Sequence, residues 1–220
     1  MTHGPFDPTF DALPATLPIF PLPGAVLLPR GKLPLNIFEP RYLAMTRDAL
    51  ASDRLIGMIQ PTEPESDDRP QELYKTGCAG RITTFSETDD GRYLVTLTGL
   101  CRFGIEREVP SVSGYRRVMP DFQPYRSDME DSPAAEIARE SLLSVLKIYL
   151  KAQNISVDWK AIADTPDDWL VTLLAMMCPF EVNEKQALLE AKDTNERAHV
   201  LTALLELATM GRQGQDSARH

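Results

Sequence analysis

The stretch that decides the fold is LPIFPLPGAVLLPRGKLPLNIFEPRYLAMTRDAL, residues 17–50. Prolines divide its apolar residues into short runs, at Pro18, Pro21, Pro23, Pro29, Pro34 and Pro40. Because proline fixes φ and has no N–H for a strand ladder, it belongs at strand starts, edges and bulges. The pattern therefore predicts three short strands, joined by tight corners at Pro23-Gly24 and Arg30-Gly31. The predicted strands are Leu17–Phe20, Ala25–Leu28 and Leu33–Phe38.

A helix is predicted to follow these strands directly. Pro40 suits a first helical turn, where its missing N–H is one of the donors that would be unpaired anyway. Glu39 suits the positive end of the helix dipole. Tyr42, Met45, Ala49 and Leu50 then recur at helical spacing and give one apolar face. Short strands that must bend, followed at once by a helix, indicate a small closed or half-closed β-barrel with a helix across one mouth.

The clearest β pattern after this stretch lies at residues 77–104. Two alternating runs, Arg81–Glu87 and Arg92–Thr98, flank Thr88-Asp89-Asp90-Gly91, whose Asp-Gly pair is typical of a hairpin turn. Further strands are predicted at Arg54–Gln60 and Tyr115–Met119. Strands outnumber helices up to about residue 120, which favours a barrel over alternating β-α units.

Beyond residue 120 the apolar period changes from two to 3.6, which predicts helices. Their predicted starts are Ser132, Thr165, Asn183 and Asp193, and the last helix is expected to end at Gly211. The chain is therefore expected to be of the α+β class. We predict a flexible N-terminal arm at 1–15, a β-barrel subdomain at 16–120, a helical subdomain at 121–211 and a flexible tail at 212–220.

Four segments, in order, resemble the Lon protease N-terminal (substrate-binding) domain family. They are Pro18–Tyr42, Ile56–Gln60, Gly77–Ile105 and Glu184–Leu205, and together they span nearly the whole chain. The resemblance implies a PUA-like β-barrel followed by a C-terminal helical bundle. It also implies a non-enzymatic role in binding polypeptide, as an adaptor or in client recognition during proteolysis or protein quality control. The sequence has no G-x-x-x-x-G-K-[ST] phosphate loop and no recognisable peptidase part, so we expect a stand-alone member of the family.

The composition is that of an ordinary globular protein, with 220 residues of which 43% are hydrophobic and 25% are charged. Its formal net charge of −9 disfavours nucleic acid and anionic membranes, both of which are bound largely through Lys and Arg. The three dispersed cysteines favour a reducing compartment. With no signal peptide and no long apolar run, the chain is expected to be cytoplasmic.

Catalytic and metal motifs are missing from the sequence. The three histidines are His3, His199 and His220, and no C-x-x-C or H-E-x-x-H spacing occurs. Two segments match the S-x-x-K and K-T-G motifs of penicillin-interacting serine enzymes: Ser144-Val145-Leu146-Lys147 and Lys75-Thr76-Gly77. In those enzymes the serine motif comes first, whereas here the order is reversed. We therefore predict no catalytic residues, no metal and no cofactor.

A binding surface is the remaining candidate, at the corner where strand meets helix. Phe38 and Tyr42 are predicted to offer an apolar groove to an unfolded or partner polypeptide, with Glu39 and Arg41 beside it and strand edges available for backbone pairing. The alternative is that the aromatic side chains fill the core, while Glu39 caps the helix and Arg41 holds the corner. A protease or a chaperone is among the candidate partners, and the oligomeric state is left open.

A second hypothesis is recognition of RNA or a modified nucleoside by the barrel. It requires a basic patch on one face, despite the negative net charge. The candidate residues are Arg102, Arg107, Arg116 and Arg117.

Overall fold

The computed structural model describes residues 6–63, 71–110, 113–131 and 135–217, the last seven by their backbone alone. The chain forms two compact units, Met1–Ser132 and Pro133–His220. Within the described residues, the first unit holds six strands and one α-helix, and the second holds five α-helices. Residues 121–131, which the sequence assigned to the helical subdomain, lie in the first unit and include a 3₁₀ helix at Gln123–Met129.

The strands form one mixed sheet, which together with the helices confirms the α+β class. They are β1 (Leu17–Pro21), β2 (Lys32–Ile37), β3 (Leu55–Ile59), β4 (Thr76–Glu87), β5 (Tyr93–Val109) and β6 (Arg117–Asp121). The strand order is β2-β5-β4-β3-β1-β6, and β6 also pairs with β5. Only β1 and β3 run parallel among these pairs. Because β6 pairs with both β1 and β5, the strands β5, β4, β3, β1 and β6 form a closed ring of pairings. Strand β2 pairs with β5 outside this ring and is the outer strand.

The strand predicted at Ala25–Leu28 is wrong. This segment is a loop, although its side chains at Val26, Leu27 and Leu28 are buried. The loop crosses β5 at Gly99, where Arg30 N–H donates to the Gly99 carbonyl at 2.7 Å. A Cβ on Gly99 would lie 2.0 Å from the Leu28 carbonyl oxygen, so only glycine permits this approach. The apolar run is therefore buried by a tertiary crossing and not by a strand ladder.

The hairpin predicted around Asp90-Gly91 is confirmed. Glu87 pairs with Tyr93 at its end, and Gly91 adopts a φ of 81°. Strand β5 is long enough to pair with β2 near its start, with β4 from Tyr93 to Gly104, and with β6 from Gly104 to its end. The core beneath it centres on Phe103, which is fully buried against apolar residues of β1, β3 and β4.

Helix α1 (Pro40–Leu50) begins where predicted and buries most of the predicted face, including Met45 and Ala49, while Leu50 at its end is half-buried. Tyr115 donates its hydroxyl to Asp48 at 2.8 Å and so ties α1 to the segment before β6. Of the predicted N-terminal arm, residues 1–5 lie outside the described residues. In the rest, Arg81 bonds Asp7 at 2.7 Å, and Phe10 and Leu13 pack on the core.

The second unit consists of α2 (Arg139–Ala152), α3 (Trp159–Asp164), α4 (Asp167–Met177), α5 (Val182–Glu190) and α6 (Thr194–Ser217). The sequence missed α3, a six-residue helix that Asp158 caps through two backbone N–H groups. Helix α5 is capped by Glu181 with Glu184 instead of by Asn183. Helix α6 continues past Gly211, into the predicted tail. The predicted cap Ser132, residues 64–70 and residues 218–220 lie outside the described residues.

Candidate functional site

The corner between β2 and α1 carries the residues that the sequence singled out. Strand β2 ends at Ile37 and α1 begins at Pro40, so Phe38 and Glu39 form the turn. Ile37 pairs with Tyr93 in an antiparallel ladder. Phe38, which follows Ile37, therefore lies beside Arg92, which precedes Tyr93. We call the side chains of Phe38, Glu39, Arg41, Arg92 and Leu94 the Phe38 corner.

Phe38 is the most exposed apolar side chain of this corner, at 60% accessible. Alternation along β2 buries Leu35 and Ile37 and turns Asn36 and Phe38 outward. Leu94 pairs with Asn36 and is 46% accessible, so it lies diagonally across from Phe38 on the same face. The corner therefore presents two large apolar side chains to solvent.

Tyr42 lies behind this surface and not on it. The side chain is only 6% accessible, and its ring centroid lies 4.2 Å from that of Phe20. The Arg41 guanidinium lies over the Tyr42 ring at 4.7 Å. The structure thus places Tyr42 in the core, as the alternative from the sequence proposed, where it supports the start of α1.

Glu39 and Arg41 contact each other at the surface. The Nε of Arg41 donates to a Glu39 carboxylate oxygen at 2.9 Å, and both side chains are more than a third accessible. The Glu39 carboxylate is thus directed at Arg41 instead of capping the first turn of α1. An exposed pair of this kind contributes about 0–1 kcal/mol. It balances charge at the corner more than it stabilises the fold.

The turn of the β4–β5 hairpin holds Arg92 in place. The Thr88 hydroxyl accepts the Arg92 backbone N–H at 3.1 Å and donates to the Asp90 carboxylate. Asp90 in turn pairs with Arg92 Nε at 2.8 Å. The hydrogen bond from Thr88, assisted by the positive charge of Arg92, holds the pKa of Asp90 below its ordinary value. The Arg92 guanidinium lies over the Phe38 ring, 5.7 Å from the centroid.

The arginines proposed for RNA recognition do not form a free basic face. Arg102 is 3% accessible, and its Nε and Nη2 bind the Asp128 carboxylate at 2.9 and 2.8 Å. Burial lowers the pKa of Arg102, but the hydrogen bonds to Asp128 and the electrostatic contributions of Asp128 and its neighbours together outweigh burial and leave this pKa above its ordinary value. Arg116 pairs with Glu108, and Arg117 donates to the Thr16 hydroxyl at 2.7 Å. Three of the four side chains are thus engaged within the first unit.

His199 lies in a shallow groove of about 180 Å³ between α2 and α6 of the second unit, beside Ser141 and Glu206. Across the residues that the structure describes, no three His, Cys, Asp or Glu side chains are grouped to hold a metal ion. None of the helices in the described ranges has the length and apolar character that a membrane span requires.

Comparison with known proteins places this architecture in a family. Residues 16–206 match the family described as the ATP-dependent protease La (LON) substrate-binding domain. The chain is 26% identical over 201 residues to a Lon protease of Cytophaga hutchinsonii, with 89% of this chain and 24% of that protein covered. It is 30% identical over 207 residues to Lon protease 2 of Sorangium cellulosum, covering 90% of this chain and 25% of that protein. It thus spans about a quarter of the length of these relatives.

Solved structures show the same fold. The crystal structure of a Lon N-terminal domain protein from Xanthomonas campestris superposes with a TM-score of 0.60 at 24% identity, covering 86% of this chain and 97% of that one. The N-terminal domain of Mycobacterium avium complex Lon protease gives a TM-score of 0.56 at 17% identity, covering 87% and 98% of the two chains.

Proposed function

This chain belongs to the ATP-dependent protease La (LON) substrate-binding domain family, and from that membership we propose that it is a module that binds polypeptide. In this proposal it acts as a cytoplasmic adaptor that recognises unfolded clients in proteolysis or protein quality control, without chemistry of its own. The first unit is the binding unit, built as a PUA-like barrel. The two relatives described above are both Lon proteases, which supports a partner in protein degradation.

The exposed Phe38 corner is the observation that carries the proposal. Phe38 and Leu94 both keep apolar surface in water on the same face of the sheet, at a cost of roughly 25 cal/mol for each Å² exposed. An apolar side chain of an unfolded polypeptide would remove that cost by covering it. Such side chains are buried in folded proteins, so the corner would favour unfolded segments over folded ones.

Side-chain contact is a better-supported mode of binding here than strand addition. Strand β2 is the outer strand, which in principle could pair with an extended peptide. However, its edge carries Lys32 and Pro34, and such residues protect edges against pairing because a proline has no N–H and a lysine stays hydrated. We therefore assign recognition to the outward face of the Phe38 corner.

Fluorescence anisotropy with a labelled, permanently unfolded model protein tests the proposal. We expect Phe38→Ala to weaken binding by at least about fivefold, since an exposed aromatic anchor carries much of the energy of such a contact. Phe6→Ala is the matched control, because Phe6 is also exposed, at 80%, in the same unit. Binding should change little with salt.

Three results would overturn this proposal. The first is a wild-type chain that fails to bind the unfolded protein, and the second is a Phe38→Ala chain that binds it as well as wild type does. The third is capture of RNA that is lost steeply as salt rises, because counterion release marks nucleic-acid binding. That outcome would favour the RNA hypothesis, which the burial of Arg102 otherwise weakens.

A further inference from the structure

We propose that Arg92 is a positioning residue, which the β4–β5 turn holds over one face of the Phe38 ring so that the other face meets an apolar side chain of the bound polypeptide. The inference rests on the proposed function. It adds the group that orients Phe38 and the class of side chain that the corner selects.

The geometry links the turn to the ring in three contacts. Thr88 bonds the carboxylate of Asp90, Asp90 pairs with Arg92 Nε at 2.8 Å, and the Arg92 guanidinium carbon lies 5.7 Å from the Phe38 centroid. A cation within about 6 Å of a ring centroid is attracted by the ring quadrupole. An exposed phenylalanine at a chain corner would otherwise sample several rotamers, so this contact lowers the entropy lost on binding.

Charge at the corner indicates what the free ring face selects. The positive charge of Arg92 is balanced by Asp90, and that of Arg41 is balanced by Glu39 at 2.9 Å. With both cations paired, the corner offers an incoming side chain no unpaired charge from these groups. Leu94 extends the apolar area on the same face of the sheet. The corner should therefore prefer bulky apolar side chains over acidic or basic ones.

Arg92 can be replaced without dismantling the turn. The bonds between Thr88 and Arg92 use the backbone N–H and carbonyl of Arg92, at 3.1 and 3.0 Å, and any residue supplies these. The Arg92 side chain is itself 47% accessible, so its removal leaves no cavity in the core. A change in binding then reflects the loss of the guanidinium, both over the Phe38 ring and beside Asp90, and the Phe38→Ala background separates the two contributions.

A double-mutant cycle on the whole chain tests the inference, with the labelled unfolded protein as ligand. Arg92→Ala should weaken binding by about two- to fivefold, the range of an exposed cation–π contact, and Arg92→Lys should lose less. In the Phe38→Ala background Arg92→Ala should have no further effect. Arg126→Ala is the matched control, because Arg126 has 51% side-chain exposure and lies over Phe10 at 4.5 Å.

A ligand-free measurement separates this inference from the proposed function. In NMR spectra with ¹³C-labelled phenylalanine, Arg92→Ala should shift and narrow the Phe38 ring signals, and Arg126→Ala should leave them in place. Unchanged Phe38 signals, or an equal loss of binding in the Phe38→Ala background, would overturn the positioning role. Shifted signals in a chain that binds no polypeptide would instead refute the proposed function alone.

Discussion

The buried ion pair between Arg102 and Asp128 is expected to make the first unit sensitive to the loss of one partner alone. Their side chains are only 4% and 8% accessible, and Asp128 accepts the Arg102 backbone N–H as well as Nε and Nη2. The Arg102 guanidinium also lies over Tyr125 at 4.9 Å. The pair thus fastens the 3₁₀ helix at Gln123–Met129 onto β5.

Arg102→Met removes the two side-chain hydrogen bonds to Asp128. The buried Asp128 carboxylate then keeps the hydrogen bond from the backbone N–H of residue 102. Breaking one side of a buried pair costs about 3–5 kcal/mol. With an m-value of about 2 kcal/mol/M, a loss of 4 kcal/mol lowers the urea midpoint by about 2 M. Far-UV circular dichroism follows this transition. The fluorescence of Trp159 and Trp169, which both lie in the second unit, reports on that unit separately.

Two further variants make the prediction refutable. Arg126→Met changes an exposed arginine of the same 3₁₀ helix and should cost less than about 1 kcal/mol. Arg102→Met with Asp128→Leu removes the unpaired carboxylate, so the double variant should be more stable than Arg102→Met alone. If Arg102→Met costs no more than Arg126→Met, or if the double variant is the weaker one, the pair does not have the role assigned to it.

Three other predictions follow from the packing. Gly99→Ala should lower the free energy of unfolding in urea by about 3 kcal/mol, because the new Cβ would clash with the Leu28 carbonyl. Gly104→Ala in the same strand should have a small effect, since its nearest contact is at 3.9 Å, and equal costs would contradict the loop crossing. Burial raises the pKa of Cys101 to about 12, so a thiol reagent near neutral pH should label it only after unfolding, and rapid labelling of the native chain would refute its burial. Burial lowers the pKa of Lys185, so the unfolded state binds the extra proton. Stability of the wild type relative to Lys185→Met should therefore rise with pH from that lowered pKa up to the ordinary value of 10.5, and a flat difference would exclude this.

Local signals in the sequence predicted the elements that depend on local chemistry. The Asp90-Gly91 pair fixed a hairpin because its backbone requirements are intrinsic to those residues, and Pro40 marked the start of α1 for the same reason. The strand predicted at Ala25–Leu28 failed because an apolar run shows that a segment is buried but not what buries it. Here the partner is Gly99, far along the chain.

The candidate site was predicted in part for a similar reason. Phe38 is exposed, but its neighbour Arg92 lies across a strand pair whose register cannot be read from either segment alone. Tyr42 shares the helical face of Met45, and that periodicity already indicated a buried position. The buried pairing of Arg102 also depends on a long-range contact, with Asp128.

The most direct test of the account is a map of where an unfolded polypeptide contacts this chain. Titration of the ¹⁵N-labelled chain with a permanently unfolded protein should shift amide signals of Phe38, Glu39, Arg92 and Leu94 in wild type, and in Phe38→Ala the shifts of the other three should require at least about fivefold more polypeptide. Binding at the Phe38 corner is contradicted if saturating polypeptide shifts no signals, or if the shifts lie in the groove between α2 and α6 and Phe38→Ala leaves their concentration dependence unchanged.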